Sequence, residues 1–411
     1  MTLYVAAVFL LVYLGMVLGG LPFLQLDRTG VALLGAIALV AGGAVTPEAA
    51  ARSVHLPTLL LLFSFMVISA QMRLGGFYAW VTRGVAALPL APPLMLAALI
   101  ASVAALSAVF SNDIICLAMA PLLADICMRR ALDPIPFLIA TACAANIGSA
   151  ATLIGNPQNM LIGETLHLSF SGYAREAAPA VVAALAACWI IIVALVRGRW
   201  RLEGGPGASA PEQREGEPAA LDRWQTVKGL AVACALIAGF LFTSLPREVM
   251  ALAGAGLLLT SRKLHSTKML GLVDWELLIL FIGLFVVNHA FQDTGLAARV
   301  LAGAQSAGAP LHEAGPLFAA TLVLSNLVSN VPAVMLLLPA ATEPHAGPLL
   351  ALVSTLAGNL VIVGSIANII VVDAAARRGL RIDWRTHARA GIPVTLASLA
   401  ITAFWLRPAA T

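Results

Sequence analysis

The chain has 411 residues, of which 60% are hydrophobic and only 11% are charged. Soluble domains carry about 45–50% apolar and about 25% charged residues, so a soluble fold of this size could not hide so much apolar surface. These values exclude a soluble enzyme, a nucleic-acid-binding module and a secreted disulfide scaffold, and they place the chain in the lipid bilayer. The net charge of +4 then reports membrane topology rather than an acidic partner.

Apolar segments long enough to cross a bilayer occur along the whole chain, since a core of about 30 Å needs roughly 20 apolar residues per helix. The clear candidates are residues 3–21, 57–72, 177–196, 226–245, 275–291 and 391–406, with shorter segments at 31–45 and 249–260. Two longer segments, residues 136–164 and 348–373, are interrupted by glycine and proline. We therefore expect two broken helices beside the continuous spans. The interrupting residues are Gly148, Gly155 and Pro157 in the first segment, and Gly358 and Gly364 in the second.

Two other segments predict re-entrant hairpins, each made of two half-length helices that meet at a polar tip. Residues 92–110 are apolar, Ser111-Asn112-Asp113 follows, and residues 114–127 are apolar again. In the second hairpin the apolar segment from residue 316 leads into the polar stretch 325–330, which ends at the tip Ser329-Asn330. Both tips are expected within the membrane.

Features of the first half recur in the second half in the same order. Gly75 and Gly295 are 220 residues apart, and the tips at Asn112 and Asn330 are 218 apart. The two interrupted segments match at an offset of 209. These matches predict two structural repeats joined by a charged linker that is rich in glycine and proline. The predicted domains are a first membrane repeat at 1–196, a flexible linker at 197–225 and a second membrane repeat at 226–411.

An odd number of crossings in each repeat would invert the second repeat. The predicted fold is therefore an all-α polytopic membrane protein, with about ten transmembrane helices plus two re-entrant hairpins in two inverted-topology repeats. With this topology, 19 of the 24 Lys and Arg residues lie on one face and five on the other. Because basic residues concentrate in cytoplasmic loops, we expect an inner-membrane protein with a cytoplasmic linker and periplasmic N- and C-termini.

Broken helices at membrane depth must line protein or a wet cavity, and duplicated breaks mark the binding sites of transporters. Asp113 is the only acidic residue predicted near the membrane centre, where a carboxylate suggests a proton carrier or a cation ligand. A helix cap is the structural alternative for Asp113, and the two roles are compatible. The candidate substrate- and ion-binding residues are Ser111, Asn112, Asp113, Asn146, Gly148, Thr152, Gly155, Asn159, Ser329, Asn330, Asn359, Gly364, Ser365 and Asn368.

Asparagine offers a donor and an acceptor without charge, so each Asn suits either solute binding or the capping of a loose helix end. A sodium ion, if it is the coupling ion, is expected near Asn112, Asp113 and Asn330. Cys116 and Cys143 lie near the breaks in sequence, where they would serve either as soft-metal ligands or as small apolar fillers. No Cys-x-x-Cys pair is present, and no cofactor is expected beyond a coupling proton or sodium ion.

The motifs at these breaks are similar to those of a known superfamily. The segment 110–113 (F-S-N-D) with Pro121 resembles the arsenite-permease hairpin F-A-N-D…P, and 329–332 (S-N-V-P) resembles N-N-M-P. Residues 146–159 (N-I-G-S-A-A-T-L-I-G-N-P-Q-N) resemble N-I-G-G-x-A-T-L-I-G-x-P-x-N. The chain is thereby similar to the ion transporter superfamily of arsenite permeases, citrate-type carriers, divalent anion:sodium symporters and related sodium/proton antiporters.

The resemblance implies a secondary active transporter for a small anion or oxyanion, coupled to H⁺ or Na⁺ through elevator-type alternating access. Dicarboxylate symporters carry S-N-T at both tips, whereas Asp113 and Val331 replace both threonines here. This departure disfavours a sodium:dicarboxylate symporter and favours Asp113 as the coupling residue. The implied partners are a small anionic solute and the lipid bilayer, with no nucleic acid, and a homodimer is the family-level expectation.

Three alternatives remain open from the sequence. A Na⁺/H⁺ antiporter of the same superfamily would also use Asp113, without an organic or oxyanion substrate. A channel would also fit a polar membrane centre. An intramembrane enzyme is disfavoured, because a di-aspartyl protease needs a second midplane carboxylate and a zinc protease needs H-E-x-x-H, neither of which the sequence provides.

Overall fold

The computed structural model describes residues 1–21, 24–201 and 220–406, so residues 202–219 of the predicted linker lie outside the described residues. A short antiparallel pair, β1 (Gly20–Leu21) and β2 (Leu26–Asp27), joins the first two helices. The helices of the first half are α1 (Thr2–Leu18), α2 (Arg28–Ala41), α3 (Pro47–Ser53), α4 (Leu56–Leu74), α5 (Phe77–Ala87), α6 (Pro92–Ser107), α7 (Asn112–Arg129), α8 (Pro134–Ser149), α9 (Pro157–Thr165) and α10 (Phe170–Val196).

The described part of the second half contains ten helices and two short 3-10 turns, Leu338–Ala340 and Ile362–Gly364. Its helices are α11 (Arg223–Phe242), α12 (Arg247–Leu259), α13 (Ser266–Leu270), α14 (Trp275–Asp293), α15 (Leu296–Ser306), α16 (Ala314–Val328), α17 (Asn330–Leu337), α18 (Ala346–Ala357), α19 (Ile366–Ala376) and α20 (Trp384–Trp405).

Five of the described helices, α4, α10, α11, α14 and α20, are long and apolar enough to cross a membrane on their own. Eight shorter apolar helices accompany them. The chain is therefore an all-α integral membrane protein, as its composition predicts. The predicted spans 57–72, 226–245 and 275–291 correspond to α4, α11 and α14, with ends that differ by a few residues. The predicted span 177–196 begins seven residues earlier in the structure, at Phe170.

Helices of the second half begin at a constant distance from helices of the first half. The starts of α12, α13, α14 and α15 each lie 219 residues after the starts of α2, α3, α4 and α5. Packing follows the same correspondence, because α2 packs against α14 and α4 packs against α12. Gly76 and Gly295 precede α5 and α15 with φ values of 71° and 74°. By conformation, Gly295 therefore corresponds to Gly76 rather than to its neighbour Gly75.

All four predicted interruptions are present. Residues 108–111 separate α6 from α7, and Ser329 alone separates α16 from α17. Residues 150–156 separate α8 from α9, and residues 358–365 separate α18 from α19. Capping explains where the second halves begin: Asn156 caps α9 with Pro157 at the first position, and Ser365 caps α19.

The centre of the molecule lies between α8 and α18. Every residue of α18 is buried, as is every residue of α8 from Phe137 onwards. A helix that is covered on all sides belongs to the interior. Around this pair, α8 packs against α6, α7 and α10, while α18 packs against α16 and α20, and α19 packs against both α7 and α8. The four helix breaks therefore face one another inside the protein.

Candidate functional site

The two broken helices hold each other through reciprocal side-chain hydrogen bonds. Ser365 Oγ donates to Asn146 Oδ1 at 2.9 Å, and Asn156 Nδ2 donates to Thr355 Oγ1 at 3.1 Å. Asn146 and Thr355 are 209 residues apart, as are Asn156 and Ser365. The second bond thus repeats the first with the two halves of the chain exchanged.

A second pair of bonds obeys the same offset. Asn159 Nδ2 donates to the carbonyl of Thr152 at 3.0 Å, and Asn368 Nδ2 donates to the carbonyl of Val361 at 3.1 Å. Each amide therefore satisfies a carbonyl group that the helix break would otherwise leave open. These two asparagines stabilise the unwound backbone, which is the capping role that the sequence left open for them.

Asn146 is the hub that connects the first hairpin to both broken helices. Its Oδ1 accepts from Asn112 Nδ2 at 3.1 Å as well as from Ser365. Its Nδ2 donates to Asn359 Oδ1 at 2.8 Å and to Asn368 Oδ1 at 3.4 Å. All five side chains are buried. Five of the predicted site residues, from three separate breaks, therefore form one hydrogen-bonded network.

The first hairpin tip places a carboxylate beside this network. Asn112 begins α7 and is buried, whereas Asp113 in the same turn is half-buried. Ser111 precedes them with its backbone N–H 3.4 Å from Ser69 Oγ on α4. Within the described chain, no side chain caps the start of α7. The Asp113 carboxylate is thus not used as a helix cap in this structure.

The second hairpin tip has a different backbone and no charge. Ser329 has φ 77° and ψ 162°, a region that is essentially restricted to glycine. Asn330 lies against the second broken helix, where a Cβ on Gly358 would come within 3.2 Å of Asn330 Nδ2. Val331 stands 218 residues after Asp113, at the equivalent position of the tip.

Six buried polar atoms at the breaks, or within one helical turn of them, have no hydrogen-bond partner among the described residues. Buried polar atoms are normally hydrogen-bonded, so such a group marks a place that a solute, an ion or water can satisfy. They comprise two hydroxyl groups, three amide oxygens and one amide nitrogen. The atoms are Ser107 Oγ, Ser325 Oγ, Asn112 Oδ1, Asn326 Oδ1, Asn330 Oδ1 and Asn359 Nδ2.

The predicted glycines lie where helices approach too closely for a side chain. A Cβ on Gly148 would collide with the backbone of Ala104 on α6. A Cβ on Gly155 would collide with the carbonyl groups of Ser107 and Ser149. Gly364 is less crowded, since its nearest neighbours would be Asn326 Oδ1 and a backbone carbonyl, both at 3.1 Å. Thr152, between α8 and α9, donates from Oγ1 to the carbonyl of Ala108 at 2.5 Å.

Several site residues were not among the sequence predictions. Ser107 and Ser325 were missed although they are 218 residues apart, the offset of the two tips, which is a signal that could have found them. Tyr173 bridges the first break, because its hydroxyl donates to the carbonyl of Ala150 at 2.7 Å and accepts from Asn159 Nδ2 at 3.1 Å. His387 Nε2 lies 3.0 Å from the carbonyl of Asn359, so that nitrogen carries the proton.

The electrostatic character of the site is set by a single carboxylate. Asp113 is the only acidic side chain at the two described tips and in the hydrogen-bonded network around Asn146. Cys116 and Cys143 are buried free thiols on α7 and α8. The described residues contain no cluster of three or more His, Cys, Asp or Glu that could hold a metal ion.

Comparison with known proteins decides the family. The sequence model of the citrate transporter family matches residues 8–357. The chain belongs to the citrate transporter family. This result confirms the superfamily resemblance carried by the motifs at residues 110–113 and 146–159, and it identifies the protein as a transporter rather than an enzyme.

Relatives of this citrate-transporter family member match over nearly the whole chain. A 46 kDa membrane protein of Mycobacterium leprae is 31% identical, covering 93% of this chain and 94% of the relative. An uncharacterised transporter of Mycobacterium tuberculosis is 29% identical with the same coverage. A silicon efflux transporter of Oryza sativa subsp. japonica is 28% identical over 92% of each chain.

The fold is shared with a solved transporter. The YdaH transporter of Alcanivorax borkumensis superimposes with a TM-score of 0.55 and covers 98% of this chain and 97% of its own, at 14% sequence identity. At this identity, the likeness shows a common architecture. The helix breaks of this citrate-transporter family member therefore lie in a transporter fold.

Proposed function

We propose that this protein is a secondary active transporter that carries a small oxyanion, or the hydroxyl-bearing acid from which it derives, across the inner membrane in a cycle coupled to H⁺ or Na⁺. The observation that carries the proposal is the group of unsatisfied polar atoms at three of the four breaks, beside the Asp113 carboxylate. Coupling requires only that ion and solute bind differently to the inward and outward states.

The donors and acceptors of the site favour a cargo of low charge. Binding a multiply charged carboxylate generally uses Arg or Lys, which form strong charge-assisted bonds. The described tips and the network around Asn146 offer Asn and Ser instead. The free oxygens of Asn112, Asn326 and Asn330 call for hydroxyl donors, and Asn359 Nδ2 calls for an acceptor oxygen. The naming of the rice relative for silicon efflux supports an oxyacid over a tricarboxylate.

The transport cycle that we propose uses two repeats, residues 1–196 and 226–411, with ten spans and two re-entrant hairpins in inverted topology. The constant spacing of 219 residues between helix starts and the reciprocal bonds at 209 support this assignment. The distribution of basic residues supports a cytoplasmic linker with periplasmic termini. The hairpins and broken helices would move together against α2, α4, α12 and α14 in an elevator-type motion.

The test is flux in proteoliposomes that contain the full-length protein. Arsenite, silicic acid, phosphate-like oxyanions, and di- and tricarboxylates are screened under an imposed pH or Na⁺ gradient, with protein-free vesicles and Asp113→Asn as controls. We expect one oxyacid or oxyanion to move only when a gradient is present, and to stop moving in the variant. Saturable uptake of a tricarboxylate alone would overturn the cargo, and flux that ignores both gradients would indicate a channel.

A Na⁺/H⁺ antiporter is the second candidate, and one observation favours it. The carboxylate of Asp113 and the free amide oxygens of Asn112 and Asn330 are the kind of hard oxygen ligands that bind an alkali cation. In vesicles without any oxyacid, an antiporter would change the internal pH when a Na⁺ gradient is imposed. A symporter of an oxyacid would leave the internal pH unchanged until its solute is added.

A further inference from the structure

The end of the first broken helix is tied to a neighbouring helix by an ion pair. Arg247 Nε, at the start of α12, lies 2.9 Å from Glu164 Oε1 near the end of α9. Arg247 Nη2 also donates to the carbonyl of Gly163 at 3.0 Å. The two side chains are only 16% and 9% exposed, so water and salt screen their attraction weakly. The pair therefore joins the helices that carry the site to the helices beside them.

The second half of the chain carries the same two charges at equivalent positions. Asp373 follows Glu164 by 209 residues, the offset of the broken helices. Arg28 precedes Arg247 by 219 residues, the offset of α2 and α12, and each arginine is the first residue of its helix. An acid near the end of each broken helix thus has a basic counterpart at the start of α2 or α12.

In this structure the equivalent charges are engaged elsewhere. Asp373 Oδ2 lies 2.8 Å from Arg377 Nε, one turn further along the chain. Arg28 Nε donates to the carbonyl of Met16 at 3.1 Å. Helix packing also differs between the two halves. In the described chain, α9 packs against α4, whereas α19 has no comparable packing against α14. The Glu164–Arg247 contact is therefore formed in this structure, whereas Asp373 and Arg28 each contact another group.

We propose that Glu164–Arg247 and Asp373–Arg28 are alternating latches, each closed in one of the two end states of the transport cycle. This inference rests on the proposed inverted repeats, since two repeats that exchange conformations also exchange their contacts. Withdrawing α9 from α12 would leave the buried Glu164 carboxylate without its partner, which is costly. Closing the second latch offsets that cost, so the two end states remain close in free energy and the bound solute and ion decide between them.

The test is hydrogen–deuterium exchange of the full-length protein in lipid nanodiscs, without solute. Glu164→Gln weakens the first latch. We expect exchange to rise about tenfold at residues 163–166 and 247–250, the effect of losing one charge-assisted contact, and to fall at 28–31 and 373–376 as the second latch closes. Asp373→Asn should produce the opposite pattern. Its carboxylate is exposed, so this variant is expected to fold normally.

A matched control distinguishes a contact that is coupled to the opposite side of the protein from one that acts only locally. Glu176→Gln alters the contact between Glu176 Oε1 and His345 Nδ1, with a distance of 3.0 Å, which involves neither α2 nor α12. It should leave exchange at residues 28–31 and 373–376 unchanged. The charge reversal Glu164→Arg with Arg247→Glu should restore the wild-type pattern.

Two outcomes would contradict the latch proposal. One is a Glu164→Gln variant whose exchange rises at residues 163–166 and 247–250 with no change on the opposite side. The other is an Asp373→Asn variant that changes both sides in the same direction as Glu164→Gln. The exchange measurement is independent of the flux screen. If hydrogen exchange changes in opposite directions at the two ion pairs but no solute is transported, the latch proposal is supported and the proposed cargo is wrong. If a solute is transported but exchange does not change in this way, only the latch proposal is wrong.

Discussion

The two hairpin tips begin with the same residues, Ser-Asn, and then differ in almost every physical respect. In the first tip, Asn112 is bonded to Asn146 and is followed by the carboxylate of Asp113. In the second tip, the oxygen of Asn330 has no partner among the described residues, and Val331 replaces the acid. The first tip is thus charged and fixed to the broken helices, whereas the second is neutral and less firmly held.

Backbone conformation separates the tips further. Ser111 has an ordinary negative φ of −57°, whereas Ser329 has φ 77°. Strain of this kind costs about 1–3 kcal/mol and persists only where the surroundings impose it. The acidic group of the two tips therefore lies on the first, and the backbone strain lies on the second.

Removing the charge from the first tip is the strongest way to test this comparison. Asp113→Asn should reduce gradient-driven flux about 10- to 100-fold, because a contact to a charged group contributes about 1.5–3 kcal/mol. Val331→Ala, at the equivalent position of the second tip, should change flux less than about threefold. Initial rates in proteoliposomes measure both. Equal losses in the two variants would contradict a coupling role that is confined to the first tip.

The glycines behind the tips extend the comparison to the broken helices. Gly155→Ala places a Cβ against two backbone carbonyl groups, so we expect it to cost about 3 kcal/mol of stability. Gly364→Ala meets its nearest atoms at 3.1 Å and should cost about 1 kcal/mol. Thermal unfolding in detergent shows which of the two variants is less stable. A Gly364→Ala protein that unfolds at a lower temperature than Gly155→Ala would contradict the expectation that Gly155 is the more crowded position.

The tip asparagines should separate stability from binding. Asn112→Ala loses the bond to Asn146 and should lower stability by about 1–2 kcal/mol. Asn330→Ala removes an oxygen without a partner in the described structure and should change stability by less than about 0.5 kcal/mol. Both should raise KM for the transported solute if both oxygens bind it. Unfolding temperature and KM are measured on the same preparations. An unaltered KM in the Asn330→Ala variant would show that the Asn330 oxygen does not bind the solute.

The smallest expected effect has opposite signs at the two tips. Ser329→Gly relieves the positive φ and should stabilise the protein by about 1 kcal/mol. Ser111→Gly adds backbone freedom at an ordinary φ and should destabilise it by about 0.5–1 kcal/mol. Unfolding temperatures of the two variants decide the matter. A Ser329→Gly protein that is less stable than wild type would show that the Ser329 side chain outweighs its backbone strain.

The sequence predicted the helix breaks because their causes are local. Proline is favoured at the first position of a helix, which Pro157 occupies, and Asn156 immediately before it is a good cap. Polar residues within long apolar segments located the tips at Asn112 and Asn330 for a similar reason. These features depend on a few consecutive residues, so they are readable without any knowledge of the tertiary structure.

Contacts between distant parts of the chain were not readable in this way. Thr355 lies inside an apolar helix, and its role is set by Asn156 and Gln158, almost 200 residues away. In the sequence, nothing distinguishes Asn326 from the other residues of its polar stretch. The structure places its side chain beside Gly364. The strain at Ser329 also follows from how α16 meets α17 rather than from the amino acid itself.

The four hydrogen bonds of the Asn146 side chain constrain how the sequence of this protein can change. Three of its partners, Asn359, Ser365 and Asn368, belong to the other half of the chain. A substitution at position 146 would leave buried groups in that half unsatisfied unless they changed as well. The two halves therefore cannot drift independently, and descendants of this chain should show paired substitutions at position 146 and at one or more of positions 359, 365 and 368.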